Sequence, residues 1–563
     1  MVIPPNDGAV GHDALGTDRR SAADVIFLAA VVAVSCVPYV TGLGFYSDDW
    51  SFLSALQHAS DDSFIARYRS LLPHRLGTRP LHAALLAGLY SLFGLDPLGY
   101  HVVNSVVFVA TVVLFHLALR ALGLSRPLTV SVPLVFALLP SYSTDRFWVA
   151  AFQANLSVGL YMMSLYADLR FAVLSDARRW GWKAGGTVSL LGSVLAYEMA
   201  APLFALNVVL TWARARALHR ASGTWRPLAT GLILASNMLV LAGAVIYKAT
   251  TTERTAVGGG RLARYISTLG AAADVHFGEY GLQLPLKVGR VLRDYHDPAT
   301  IVVSLVVGVV VLVYLRRALR MTSVGWPNSR TWLAVMAAGL TVFAAGYAVS
   351  LMAAEIGFHP TGVMNRTAIA AALGAAFTFV AVIGWATSWL RSEQHRRVAF
   401  STLIALFALT GCLLTNAIAT FWVTASREQR TIIDAVRRRF PDLPPGATIL
   451  LADICPYIGP GVVFETSWDV RGMLQVVYDD VTLRGNVVRP NLEVRDDGIR
   501  LTFWGDFANL YPFGDRLVVF SARTGQVTPL PSADAARVFF SGRPPSIGAG
   551  CPVGVEGSGA EIF

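Results

Sequence analysis

Apolar residues in this chain come in runs of roughly 20, separated by short Arg-rich patches. A helix of that length crosses the hydrocarbon core of a bilayer, and a chain that repeats it many times has few other ways to fold. Composition agrees. Over the 563 residues, 54% are hydrophobic and 15% charged, and the mean hydropathy is +0.52. A soluble domain carries about a quarter charged residues. A disordered chain is excluded, and an ordinary soluble enzyme is disfavoured.

The formal net charge is +10. Nucleic acid is nevertheless rejected as a partner, because the basic residues cluster between apolar runs. Examples are Arg178, Arg179 and Lys183; Arg214, Arg216 and Arg220; Arg316, Arg317 and Arg320; and Arg391, Arg396 and Arg397. That is the positive-inside pattern of cytoplasmic loops. The run from Ala22 to Leu43 follows Arg19 and Arg20 and lacks a small-residue cleavage site, so it reads as a retained signal anchor.

Hydropathy and loop charge together predict about eleven transmembrane helices. They fall at about 22–44, 99–122, 127–140, 151–172, 184–198, 200–212 and 228–247, then one returning to Arg316, one at about 331–352, one returning to Arg391, and one at about 398–421. Two long outer loops are expected, 45–98 and 248–298. Within the first, Pro80 to Phe93 is apolar but short and reads as a helix on the membrane surface. The organisation is then a cytoplasmic tail (1–21), a transmembrane domain (22–421) and an outer domain (422–563). In the last, Ile432, Val436 and Phe440 mark an amphipathic helix, Thr448–Ala452 a strand, and Leu492–Trp504 and Arg516–Leu530 hairpins. A small extracytoplasmic α/β domain follows. Cys36 and Cys412 sit in apolar runs, whereas Cys455 and Cys551 in the tail are a disulfide candidate on an oxidising side.

Chemistry-bearing residues gather on the outer side. Asp48 and Asp49, in Tyr46-Ser47-Asp48-Asp49-Trp50, lie at the mouth of the first span. Adjacent carboxylates repel, so one of them can titrate high, bind a cation or act as a base, and the bland alternative is a solvated loop start. Arg79 precedes Pro80 at headgroup depth, where it can meet a lipid phosphate, pair with Asp48 or Asp49, or simply snorkel. Tyr197 and Glu198 put an ionisable group in apolar sequence, which is costly unless used or turned to water. His359 and Arg366 stand in the loop before the tenth span, and a guanidinium there suits a phosphate. Arg146 and Trp148 occupy a short outer loop. Lys248, Arg254, Arg261 and Arg264 make the second long loop basic without informative spacing. No P-loop, dinucleotide fingerprint, zinc-protease motif or nucleophile elbow occurs.

The order of these motifs resembles the bacterial GT-C integral-membrane glycosyltransferases, related to protein O-mannosyltransferases and lipid A aminoarabinose transferases. The order runs from Asp48-Asp49-Trp50 through Arg79-Pro80-Leu81 to the stretch Leu92 to His101 with Asn104. It continues through Leu139-Pro140 and Trp148 to Tyr197-Glu198 with Pro202. The resemblance covers about residues 20–420, and the tail matches no domain of the family.

The resemblance implies an all-α polytopic fold and a polyprenyl-phosphate-linked sugar donor used at an extracytoplasmic site in the bacterial plasma membrane. It assigns Asp48, with Asp49 beside it, to catalysis, and Arg366 to the donor phosphate. Arg79 and His359 join the phosphate set by position. Many relatives have Asp-Glu where this chain has Asp-Asp, which leaves open which carboxylate acts and whether a divalent cation binds there. The acceptor, whether glycan, lipid or protein, is not specified. A glycolipid transporter, or a non-catalytic anchor for the tail domain, is the alternative reading.

Overall fold

The computed structural model describes residues 19–74, 76–222, 227–251, 260–294, 297–320, 325–351, 359–504 and 507–542. It is an all-α polytopic membrane protein carrying a small C-terminal α/β domain.

Helix α1 (Arg19–Val40) leads into α2 (Asp48–Gln57), α3 (Phe64–Leu71) and α4 (Pro80–Phe93). The surface helix expected at Pro80–Phe93 is α4, started by Pro80, where a missing N–H costs nothing, and stopped at Gly94, whose φ is 54°. Next come α5 (Pro97–Ala121), α6 (Arg126–Leu138), α7 (Thr144–Phe147) and α8 (Phe152–Val173). Asp96 caps α5 by accepting from Leu98 N at 3.0 Å. The bundle continues with α9 (Arg178–Ala196), α10 (Phe204–Ser222), α11 (Pro227–Thr251), α12 (Arg261–Ala273) and α13 (Leu284–Asp294). It ends with α14 (Pro298–Arg320), α15 (Ser329–Gly346), α16 (Ile369–Ser388) and α17 (Glu393–Arg439).

Seven helices among the described residues are long and apolar enough to cross a membrane: α1, α5, α11, α14, α15, α16 and α17. The other four expected spans also form helices, but of a different kind. Helix α6 has 13 residues, and every one from Pro127 onward is buried, so protein rather than lipid surrounds it. Helices α8, α9 and α10 are long enough but more polar. They bury Gln153, Asn155, Ser157, Ser164, Asp168, Lys183, Asn207 and Thr211. Lys183 Nζ meets Asp168 Oδ1 at 2.8 Å, which offsets the cost of taking both charges out of water. On α1, α5 and α14 the exposed residues include Ile26, Val106, Val302 and Val309, as expected of faces turned to lipid tails.

Where lipid surrounds the helices, hydrophobicity gives little reason for them to associate, and close contact of small residues matters more. Helices α15 and α16 meet through Gly339, Gly346 and Gly374. A Cβ on Gly374 would lie 2.2 Å from Phe343 N, which is closer than atoms can sit.

Helix α17 has 47 residues, about 70 Å at 1.5 Å per residue. The last span and the expected amphipathic helix of the tail are therefore one continuous rod, running through position 421 without a break. The tail strands begin with β1 (Thr448–Ala452), β2 (Tyr457–Ile458) and β3 (Gly461–Val462). Helix α18 (Ser467–Tyr478) precedes β4 (Arg484–Val487), β5 (Leu492–Val494), β6 (Gly498–Trp504) and β7 (Phe507–Pro512). The chain ends with β8 (Leu517–Ser521), β9 (Val527–Pro529) and α19 (Ala533–Gly542). The main sheet has the order β4-β1-β8-β9, with β1 parallel to both β4 and β8. Both expected hairpins form, as β5–β6 and β8–β9. Cys36 and Cys412 are free and Cys455 is disulfide-bonded, while Cys551 lies outside the described residues.

Gly374→Ala is expected to push α15 and α16 apart at a cost of about 1–3 kcal/mol. Thermal unfolding in detergent should shift downward, and an unchanged transition would show that the helices do not rely on this contact.

Candidate functional site

The chain leaving α1 turns on Ser47, whose φ of 47° and ψ of −118° suit glycine at the first corner of a type II′ turn. The Tyr46 carbonyl closes that turn by accepting from Asp49 N–H at 3.0 Å. Holding a serine there costs about 1–3 kcal/mol and requires support from the surroundings. That support comes from the tail. The Ser47 hydroxyl donates to Glu465 and accepts from Trp468 Nε1 at 3.2 Å.

The turn delivers both acidic residues to the first turn of α2, with different surroundings. Asp49 is buried and its two oxygens accept backbone donors: Oδ2 from Tyr46 N at 2.9 Å and Oδ1 from Ala150 N at 2.7 Å. Burial pushes this carboxyl well above the usual carboxylate range, against the pull of those amides. Asp49 therefore ties the first loop to the 3₁₀ turn Val149–Ala151. Asp48 is half-buried and close enough to Arg79 for its charge to act on the guanidinium.

Trp148 sits on the other side of the turn. Its Nε1 donates to the Tyr46 carbonyl at 2.9 Å, and its ring carries the Arg366 guanidinium at 4.9 Å from the centroid. Stacking occupies the face of a guanidinium and leaves the donor fork on its edge directed elsewhere. Arg366 is placed by the loop before α16. Asn365 donates to the Pro360 carbonyl at 3.2 Å and accepts from Thr144 N at 3.3 Å. Thr144 Oγ1 donates to the Gly362 carbonyl at 2.6 Å. Gly362 has a φ of 80°, which a side chain would strain. Arg366 also donates from Nη1 to the Val363 carbonyl at 3.2 Å.

Arg79, Tyr197 and Glu198 form a second group. Arg79 Nη2 donates to Glu198 Oε1 at 3.1 Å and Nε to Oε2 at 3.4 Å, with the guanidinium 4.4 Å from the Tyr197 centroid. The sequence offered Arg79 a phosphate or the Asp48–Asp49 pair, and the structure gives it Glu198 as its direct partner. Glu198 opens the short 3₁₀ helix Glu198–Leu203 between α9 and α10.

The remaining candidates differ from these. Arg146 is buried, with Phe108 and Tyr142 at 4.6 and 5.1 Å from its guanidinium and the Leu139 carbonyl accepting from Nη2 at 3.2 Å. His359 is half-buried, and burial lowers its imidazole pKa. Among the described residues no hydrogen bond or ion pair joins it to Arg366 or Asp48. Of the basic residues in the second long loop, Arg254 lies outside the described residues. Among those described, no group of three or more His, Cys, Asp or Glu side chains is placed to hold a metal. Asp49 has an amide on each of its oxygens, so a cation at this loop would rely on Asp48.

Two acidic residues here escaped the sequence reading. Asp145 is buried, neither of its oxygens has a hydrogen-bond partner among the described residues, and Arg366 and Arg146 are charges acting on it. Glu465 lies 418 residues from its partner Ser47, and no local motif marks it.

No family model and no curated protein matches the chain. Among solved structures it is similar to ArnT from Cupriavidus metallidurans. The apo form aligns at 13% identity with a TM-score of 0.34, and the form bound to undecaprenyl phosphate at 14% and 0.35. Each alignment covers 82% of this chain and 85% of that one.

Asp49→Asn would set an amide NH₂ against one of two buried N–H donors. A stability loss of about 1–3 kcal/mol is expected. Asp48→Asn should leave the unfolding temperature close to wild type. Equal destabilisation by the two changes, measured by thermal unfolding, would remove this division of roles.

Proposed function

We propose that the protein is a GT-C type membrane glycosyltransferase, moving a sugar from a polyprenyl-phosphate donor to an acceptor on the outer face of the bacterial plasma membrane. The observation that best supports this is the convergence on Trp148 of two elements far apart in sequence. One is the turn that carries Asp48, and the other is the stacked guanidinium of Arg366. A base and a phosphate-binding cation fixed near the membrane-facing end of a helical bundle are what this transfer needs.

The chemistry follows from the residue types. The acceptor hydroxyl loses its proton to Asp48 as its oxygen attacks the anomeric carbon. The bond to the lipid phosphate breaks at the same centre, and the phosphate leaves as an anion. It needs charge stabilisation rather than a proton, and the in-plane N–H groups of Arg366 supply it. A single displacement inverts the anomeric configuration. Arg79, neutralised by Glu198, contributes less to the phosphate than its charge alone suggests and more to fixing α4 against the bundle. The donor's polyprenyl tail stays in the bilayer beside the exposed apolar helix faces. The Arg-rich loops support a cytoplasmic N-terminus and a tail domain outside.

The acceptor belongs to the cell envelope, whether glycan, lipid or protein. A glycolipid transporter would also place an arginine at the phosphate, but it gives Asp48 no task.

Two measurements test the reading. Asp48→Asn should lower turnover by a factor of about 10²–10⁴ while bound lipid is retained, and normal turnover in that variant would remove Asp48 as the base. Native mass spectra should show polyprenyl phosphate on the wild type. Arg366→Ala should weaken that binding by about 10- to 100-fold, the worth of charge-assisted hydrogen bonds. Equal lipid occupancy in the two proteins would move the phosphate site elsewhere.

A further inference from the structure

The tail domain does more than sit beside the bundle. Helix α18 lies along α2, and the contacts between them are specific. Ser51 Oγ donates to the Trp468 carbonyl at 2.7 Å, Ser54 Oγ to Gln475 Oε1 at 2.6 Å, and Gln57 Nε2 to Asp479 Oδ1 at 2.7 Å. A Cβ on Gly472 would lie 2.5 Å from the backbone of Trp50, so the two elements touch main chain to main chain.

At the start of α2 the contact reaches the turn itself. Glu465 is 5% exposed and held on every side. Its Oε2 accepts from Tyr457 Oη at 2.5 Å, its N–H donates to Asp469 Oδ2 at 2.5 Å, and its carbonyl accepts from Arg489. The remaining oxygen, Oε1, accepts the Ser47 hydroxyl. Ser47 is the residue with the glycine-like φ, and Asp48 follows it directly. On the far side of Asp48, Asp49 is tied to Ala150.

We propose that Glu465 is a positioning residue for Asp48, so that the docked tail domain completes the active site. This rests on the transferase reading of Asp48. Through the Ser47 hydroxyl, Glu465 holds the turn in a conformation that serine does not adopt readily. Without that bond the turn relaxes, and Asp48 moves away from the acceptor oxygen. Misplacing a base by about 1 Å is enough to lower a rate by up to two orders of magnitude. Glu465 touches neither the donor nor the acceptor, so its loss acts on kcat rather than on donor binding.

The test uses the full-length protein and three variants. Glu465→Ala and Ser47→Ala break the same bond from opposite ends, so a folding defect in one domain cannot imitate the result in both. Each should lower kcat by about 30- to 100-fold with donor KM and bound lipid unchanged. The double variant should fall no further than either single one. Glu465→Gln keeps an acceptor for Ser47 and an amide donor for the Tyr457 oxygen, and should stay within about threefold of wild type. Hydrogen exchange should quicken at the amides of residues 46–50 in both alanine variants.

Wild-type kcat in Glu465→Ala, or independent multiplying losses in the double variant, would overturn the proposal while leaving the transferase reading intact. If the wild-type protein transfers no sugar, that reading fails, and hydrogen exchange alone decides the clamp. Faster exchange at 46–50 in both alanine variants supports it, and unchanged exchange refutes it.

Discussion

The carboxylate of Asp49 is the joint on which the rest of this end of the molecule depends. One oxygen closes its own loop on Tyr46 N–H and the other reaches Ala150 N–H, 101 residues on. Those two bonds bring the loop after α1 against the turn before α8. Once they are made, Trp148 falls within reach of the Tyr46 carbonyl. The indole then presents its face to Arg366. Three loops with no sequence proximity are in this way stitched together by two side chains. Because a buried carboxylate is costly without donors, the amides of Tyr46 and Ala150 must be present for Asp49 to be tolerated there.

The same accounting applies within the helices. Asp24 near the start of α1 is buried, and it accepts from Arg126 Nη2 at 2.8 Å and from Tyr314 Oη at 2.6 Å. Three elements, α1, α6 and α14, meet on that one carboxylate. Asp168 and Lys183 do the same for α8 and α9. Between α15 and α16, glycine contacts take over. The bundle thus uses polar anchors where chain segments must be held in register and small residues where backbones must approach. Bulky apolar side chains such as Phe108, Phe136 and Trp332 fill the interior between these contacts, while others such as Ile26 and Val302 are exposed on the outer faces.

Much of this was legible in the sequence, because it depends on local pattern. Runs of apolar residues gave the spans and the extent of α4 from Pro80 to Phe93, and the patterns of Leu492–Trp504 and Arg516–Leu530 gave both tail hairpins. The count of spans was harder. Helix α6 looks like a short span because a helix buried in protein and a helix buried in lipid are equally apolar. Helix α17 looks like two elements, since its composition changes where the chain leaves the apolar zone, while its backbone continues. Side-chain pairing was the least accessible. Arg79 with Glu198 joins residues 119 apart, and Ser47 with Glu465 joins residues 418 apart. Neither pair leaves a periodic trace, so only the assembled fold brings them together. For the same reason Asp48 and Asp49 read as equivalent in the sequence, and become distinct only when the Ala150 amide is seen to take one of them.

That distinction explains why two adjacent carboxylates can coexist at the mouth of a membrane helix. Adjacent carboxylates repel, and here burial pushes Asp49 toward its neutral form while the backbone amides hold it in place. Asp48 does not share those amides, and its charge acts on the Arg79 guanidinium. The turn that carries Asp48 is braced from outside by the tail, through the hydrogen bonds of Ser47 to Glu465 and Trp468. On the proposed transferase reading, an Asp48 base mounted this way moves little as the substrate arrives. On that reading one reactant is confined to the bilayer and the other comes from water, so a base with a fixed position is an element that both can be brought to meet.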